Sequence, residues 1–225
     1  MKAFTAAVDP QPILDVARRV GIRESELIPY GRSVAKVDTA STLERLEGAP
    51  NGLYVAVTGM TPTPLGEGKT LTAIGLSMAL NQIGVRTIAA LRQPSLGPVF
   101  GLKGGASGSG ASQIVPSELL NLHLTGDFHA VTEAHNLLAA VIDNQLVQGN
   151  PTHLDPQRVT WPRVLDLNDR ALRHVITGLG GRDHGQPRET RFDITATSEI
   201  MAVLSLARDL PDLKRRLNAI TVGLT

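Results

Sequence analysis

The chain contains no cysteine. Disulfides, thiolate metal sites and a cysteine nucleophile are thereby excluded. Aromatic residues make up only 3%, which leaves few rings on which nucleic-acid bases could stack. An excess of one charge is lacking too. The 22 Lys and Arg against 21 Asp and Glu leave a formal charge of +1, with no global field to draw in DNA or an anionic membrane. No apolar run is long enough to span a bilayer, and Met1-Lys2-Ala3-Phe4-Thr5 has no apolar signal core behind its lysine. What is present is 42% hydrophobic and 19% charged residues over 225 positions. That composition can bury a core in one large domain or two small ones. A cytoplasmic enzyme with no nucleic-acid or membrane partner is the expectation.

One segment stands out against these absences. Leu53-Tyr54-Val55-Ala56-Val57 reads as a buried strand, and a helical run follows over 71–83. Between them lies Thr58-Gly59-Met60-Thr61-Pro62-Thr63-Pro64-Leu65-Gly66-Glu67-Gly68-Lys69-Thr70. Strand, glycine-rich loop, Gly-Lys-Thr and helix, in that order, form a phosphate-binding loop. Backbone N–H groups and the helix N-terminus face the anion, and the lysine reaches the terminal phosphates. The hydroxyl of Thr70 is then a Mg²⁺ ligand. Glu67 either tunes the magnesium or faces solvent. The competing reading is an ordinary glycine turn with an exposed lysine; the order of strand, loop and helix argues against it. One residue departs from the pattern G-x-x-x-x-G-K-[ST]: it calls for glycine at position 63, and this chain has Thr63 between two prolines.

Helices are also expected at Ile13–Val20, stopped by Gly21, and around Leu43 and Leu46. A second buried strand is expected over 86–91, which completes a βαβ unit and implies a parallel sheet. The glycine- and serine-rich stretch 92–115 is long enough to be either functional or disordered. Beyond it the pattern predicts a short strand at 121–126, a helix over 130–147 and a strand within 159–167. A strand at 191–195, helices at 199–207 and 213–217 and a last strand at 220–224 follow.

Ligands of an open parallel sheet sit beyond the carboxyl ends of its strands. Arg92 ends the second strand, so it is placed to clamp a phosphate or carboxylate; a surface ion pair is the alternative. Closely spaced glycines over Lys103–Gly110 make either an anion nest or a linker. His123, His129 and His135 lack the spacing of a zinc site. Asp127, at the expected end of a strand, is a better candidate for a magnesium shell. Asp143-Asn144 and Asp166-Leu167-Asn168-Asp169-Arg170 read as helix caps.

The loop Thr61-Pro62-Thr63-Pro64-Leu65-Gly66-Glu67-Gly68-Lys69-Thr70 resembles that of the formate–tetrahydrofolate ligases, which carry the same proline-threonine insertion. Further motifs resemble that family in the same order. They include Pro94-Ser95-Leu96-Gly97-Pro98-Val99-Phe100-Gly101, Lys103-Gly104-Gly105-Ala106 and Asn121-Leu122-His123-Leu124-Thr125-Gly126-Asp127-Phe128-His129. Asn136-Leu137-Leu138-Ala139-Ala140, Asn168-Asp169-Arg170-Ala171-Leu172-Arg173 and Phe192-Asp193-Ile194-Thr195 complete the set. The resemblance implies an α/β fold, a P-loop NTPase-like parallel sheet flanked by helices. It also implies an ATP-dependent ligation of formate to tetrahydrofolate that passes through formyl phosphate and gives 10-formyltetrahydrofolate.

By that resemblance, Thr63, Pro64, Leu65, Gly66, Glu67, Gly68, Lys69 and Thr70 bind ATP, and Thr70 and Asp127 hold Mg²⁺. Lys69, Arg92 and Asp127 are the catalytic residues, with Arg92 gripping formyl phosphate. A monovalent cation, K⁺ or NH₄⁺, is a further implied cofactor. The chain departs from the family at Gln93, where a glutamate is usual, and at Ser107, Ser109 and Ala111. Family members are more than twice as long. Residues 1–225 therefore correspond to the N-terminal nucleotide-binding domain or part of it, and the folate-binding C-terminal part is expected to be missing. A non-catalytic nucleotide-binding remnant or interaction module is the alternative. A strand ending at Leu224 with nothing beside it predicts a homo-oligomer, or association with the missing half.

Overall fold

The computed structural model describes residues 9–61, 63, 66–92, 94–96, 108, 109, 111–122 and 126–225. They belong to two compact units, Met1–Pro94 with Gly101–His123, and Ser95–Phe100 with Leu124–Thr225.

In the first unit, α1 (Ile13–Val20) ends as expected at Gly21, whose φ of 86° lets its N–H return to the carbonyls of Ala17 and Arg18. A hairpin follows, β1 (Leu27–Tyr30) paired antiparallel with β2 (Val34–Val37). Then comes α2 (Thr39–Arg45), capped by the Asp38 carboxylate, which accepts from the N–H groups of Ala40 and Ser41. Arg45 donates from Nη2 to Glu26 at 2.7 Å and so ties α2 back to the hairpin. The long helix α3 (Lys69–Gln82) carries on its flank a short ladder, β3 (Gly108–Ser109) against β4 (Ser112–Gln113). The ladder lies so close that a Cβ on Gly108 would meet the Ser112 carbonyl oxygen at 2.0 Å and Ile74 Cδ1 at 2.9 Å. Gly108 also has a φ of 88°, so only glycine fits there. The helix α4 (Ser117–Leu122) completes the unit.

The two strands expected at 53–57 and 86–91 form no ladder, with each other or with any described residue. Leu53 is fully exposed and Tyr54 is 89% exposed. A parallel strand draws its stability from neighbours on both sides, and an apolar pattern alone does not supply them. The strand expected at 121–126 is also corrected. Asn121 and Leu122 end α4, and 123–125 lie outside the described residues.

The second unit is built on α5 (Asp127–Val147). Phe128, Val131, His135, Ala139, Ile142 and Leu146, three and four residues apart, form one buried stripe. Its apolar members pack with Leu154, Trp161, Ile200 and Met201. Beside it lies the one parallel pair among the described residues, β5 (Arg163–Leu165) with β8 (Phe192–Ile194). Between these strands in sequence stands a second hairpin, β6 (Val175–Thr177) with β7 (Arg188–Thr190). Two capped helices end the unit. In α6 (Glu199–Leu206) Ser198 accepts from the Ile200 N–H, and in α7 (Leu210–Leu217) Asp209 accepts from the Asp212 N–H. The last expected strand is reduced to one antiparallel bridge, Val159 to Gly223.

Polar groups complete this core. Asn136 lends β5 the bonds of a neighbouring strand: its Nδ2 donates to the Val164 carbonyl at 3.0 Å, and its Oδ1 accepts from the Val164 N–H at 2.9 Å. Thr195 is wholly buried, 2.8 Å from the hydroxyl of Thr132. Thr132 gives its own proton to the Phe128 carbonyl, so Thr195 is the donor to Thr132. The expectation that Asp143 caps a helix is wrong. Asp143 lies within α5 and pairs with Arg163 at 2.8 Å and with the buried Arg188 at 2.5 Å. A two-to-one charge cluster of this kind depends on tertiary neighbours that no local pattern reveals.

Candidate phosphate-binding groove

The loop that precedes α3 turns on two glycines, Gly66 with φ 85° and Gly68 with φ 70°. That left-handed backbone is open to glycine and costs other residues about 1–2 kcal/mol. Gly68 is the residue immediately before α3, and no side chain caps the helix. The first N–H groups of a helix have no partner within it, so the start of α3 offers donors and the positive end of its dipole. Lys69 is the first residue of this helix and Thr70 the second.

The loop folds back over its own lysine. A Cβ on Gly59 would meet Glu67 Cγ at 3.4 Å and the Lys69 ammonium at 3.8 Å. Glu67 accepts from both Lys69 Nζ and the Thr63 N–H. The lysine first, and then the Thr63 N–H, hold the Glu67 carboxyl at about 2, below its usual 4.5. Glu67, an exposed residue, is the counter-ion of Lys69.

A groove of about 390 Å³ runs alongside. Lys69, Thr70 and Arg92 all line it, together with one face of α3 and the segments 53–57 and 87–91. The structure thus brings together three of the residues singled out in the sequence. Pro64 and Leu65 lie outside the described residues, as do Gln93, Lys103 to Ser107 and His123.

Asp127 belongs to the second unit and stands at the first position of α5, following Gly126. It is therefore not at a strand end. An acidic residue in the first helical turn is favoured by the helix dipole. In the same unit Asp166 follows β5 and accepts from Ser95 Oγ at 2.5 Å and from the Leu96 N–H at 2.8 Å. These partners stand 71 and 70 residues away in sequence. No spacing signal connects the two. Asp169 caps the short turn Arg170–Leu172 through the Ala171 N–H. His135 is buried against Trp161 rather than presented to a ligand. Among the described residues, no three His, Asp or Glu side chains gather into a metal cluster. A phosphate-loop magnesium needs no such cluster, because a hydroxyl, one carboxylate and the nucleotide supply its ligands.

The sequence pattern of the formate–tetrahydrofolate ligases matches residues 3–225. The chain belongs to that family. It is 56% identical over 215 residues to the formate–tetrahydrofolate ligase of Saccharopolyspora erythraea, with 96% of this chain and 38% of the relative covered. It is 59% identical over 212 residues to the ligase of Cutibacterium acnes, covering 94% of this chain and 38% of the relative. To the ligase of a Methylobacterium species it is 57% identical over 213 residues, with 95% and 38% covered. The chain thus spans little more than a third of the length of these ligases. Among the described residues no helix is long and apolar enough to cross a membrane.

Proposed function

We propose that this chain is the ATP-binding segment of a formate–tetrahydrofolate ligase and acts in the cytoplasm on ATP, formate and tetrahydrofolate. The observation that carries the reading is the shared groove. Lys69, Thr70 and Arg92 line it at the uncapped start of α3, in a chain more than half identical to proteins named for that reaction.

The first step is phosphoryl transfer. A formate oxygen forms a bond to the γ-phosphorus, the bond from that phosphorus to the β,γ-bridging oxygen breaks, and ADP leaves with the electron pair. N10 of tetrahydrofolate then attacks the formyl carbon, phosphate departs and N10 loses its proton. Such chemistry depends on positioning and on charge neutralisation. Thr63 to Thr70, Pro64 and Leu65 included, surround the triphosphate in this reading, and Lys69 leaves Glu67 to neutralise its terminal phosphates. Arg92 takes the transferred phosphoryl and formyl phosphate. Thr70 would hold Mg²⁺, with Asp127 of the other unit kept as a candidate ligand, and the ion would supply charge neutralisation at the phosphate oxygens. A monovalent cation, K⁺ or NH₄⁺, accompanies these without an assigned ligand set. The whole chain is read as the nucleotide-binding domain, of the P-loop type.

The alternative is a nucleotide-binding remnant or interaction module without catalysis. Incubating the 225-residue chain with ATP, Mg²⁺, formate and tetrahydrofolate separates the two. 10-Formyltetrahydrofolate formed without an added partner defeats the remnant. ATP binding that survives Lys69→Ala unchanged removes the loop assignment and both readings with it.

A further inference from the structure

We infer that Asp166 is a positioning residue for Arg92: it anchors the chain that leaves Arg92, so that the guanidinium is held ready for the transferred phosphoryl group. The inference rests on the proposed reading of Arg92 and adds to it a residue that the reading does not contain.

The connection is covalent. Ser95 follows Arg92 by three residues in the run Arg92-Gln93-Pro94-Ser95-Leu96. Three residues of chain reach about 11 Å at most. Pro94 stiffens the run, because its ring fixes φ at about −65°. Whatever holds Ser95 therefore limits where the Arg92 backbone can go. The anchor belongs wholly to the second unit, and its effect on Arg92 in the first passes along the chain.

Ser95 and its neighbour are held by one carboxylate. The Ser95 Oγ donates to Asp166 Oδ1 at 2.5 Å, and the Leu96 N–H donates to Oδ2 at 2.8 Å. Ser95 itself is buried, at 9% exposure. Two adjacent donors call for a side chain that only accepts and has two oxygens, which is an ionised carboxylate. Bonds to a charged acceptor are shorter and stronger than neutral ones. Asp166→Asn would turn an amide N–H toward one of the two donors.

The carboxylate stands on a firm support. Asp166 directly follows β5, whose Leu165 is paired with Ile194 of β8. Val164, only 1% exposed, is held at both its N–H and its carbonyl by Asn136 of α5. A group carried by an ordered element places its partners more closely than one carried by a loop. Arg92, which lines the groove with Lys69 and Thr70, follows no described strand or helix of its own. An arginine that grips phosphate loses backbone and rotamer freedom. An anchor three residues away removes part of that freedom before the ligand arrives, which is preorganisation.

The test titrates ATP and ADP, each with Mg²⁺, into the 225-residue chain by calorimetry. In the proposed reading Arg92 meets the γ-phosphate, so its contribution shows in the ratio of the two affinities. Asp166→Asn should weaken ATP about tenfold and ADP less than about twofold. Ser95→Ala removes one bond of the anchor and leaves β5 untouched; it should shift the ratio the same way by about threefold. It decides the matter alone if Asp166→Asn does not fold. In an Arg92→Ala background, either change should move the ratio less than about twofold. A merely structural Asp166 would weaken both nucleotides alike, and that outcome overturns the inference. So does a shift as large without Arg92 as with it, or a ratio that Arg92→Ala moves and Ser95→Ala does not. Arg92→Ala by itself identifies a failure of the underlying reading: a ratio that it leaves unchanged takes Arg92 away from the phosphate, and the inference falls with it.

Discussion

The Nδ1 of His135 lies 2.8 Å from the Oγ of Ser198, and this contact settles which proton the buried ring carries. The other ring nitrogen, Nε2, is 3.0 Å from the Pro162 carbonyl, which can only accept. Nε2 therefore bears the hydrogen, and Nδ1 accepts from the serine hydroxyl. Ser198 in turn accepts the Ile200 N–H at the start of α6. The ring stacks on Trp161 with centroids 4.1 Å apart. Burial holds its pKa below the usual 6.5, against the opposing pull of the Pro162 carbonyl and the Asp193 carboxylate.

A pH dependence follows. The unfolded chain takes up a proton at His135 near pH 6.5, and the folded chain resists it. Stability from this site is thus fully present above pH 6.5 and declines as pH falls below it. Denaturant midpoints measured at pH 7.5, 6.5 and 5.5 should fall in that order. His135→Gln should flatten the trend while lowering the midpoint at pH 7.5.

The carboxylates act lower down. Asp212 is held at about 2, below its usual 3.8, by Arg216 first and then by the Arg208 N–H. Glu26 is held at about 2, below 4.5, by Arg45 and the Arg23 N–H. Both carboxyls are depressed, so their contributions are intact above about pH 4.5 and are lost as pH falls toward 2. Acid titration should therefore show a second loss of stability in that window, reduced by Asp212→Asn.

Asp143, 24% exposed in its own side chain, neutralises the buried Arg188 of the second unit. Its removal in Asp143→Ala leaves Arg188, only 7% exposed in its side chain, without its carboxylate. The expected loss is about 3–5 kcal/mol in chemical denaturation, the range for breaking a buried pair from one side. An exposed pair would lose less than 1 kcal/mol, so the measurement distinguishes the two situations.

In the proposed reading Glu67 competes with nucleotide for Lys69. Glu67→Gln should tighten ATP binding by about two- to fivefold in calorimetric titration, the worth of an exposed ion pair. Lys69→Ala should weaken it by more than tenfold, because charge-assisted bonds to phosphate are among the strong ones. Weaker binding in Glu67→Gln would mean that Glu67 serves the bound state rather than opposing it.

Gly108→Ala tests the packing of β3 and β4 on α3. The added methyl group meets the Ser112 carbonyl and must also accept a φ of 88°. A loss of at least about 2 kcal/mol is expected from strain and overpacking together. Ala at Gly149, which has a similar φ but nothing within 4 Å, should cost only the backbone part.

The sequence by itself determined most of the helices and the glycine turn that opens α3. Ile13–Val20 is found as expected, and α3, α5, α6 and α7 lie within a few residues of their expected places. Their signals are local: a stripe of apolar side chains three and four apart, a capping Asp or Ser, a glycine free to turn left-handed. The turn at Gly66 and Gly68 and the place of Lys69 and Thr70 at the start of α3 were legible for the same reason, since adjacent residues set them. The family was legible because its motifs are long and ordered. Only the tertiary structure decided what distant residues do to one another. The Asp166 carboxylate anchors Ser95 and Leu96 across 70 residues or more, and Asp143 on α5 collects two arginines from two strands. Glu67 holds the lysine that the loop pattern assigns to phosphate. Strands belong with this second class. The apolar runs 53–57 and 86–91 announce themselves as strands, but a strand exists through its partner's hydrogen bonds, and those are a property of the assembled sheet.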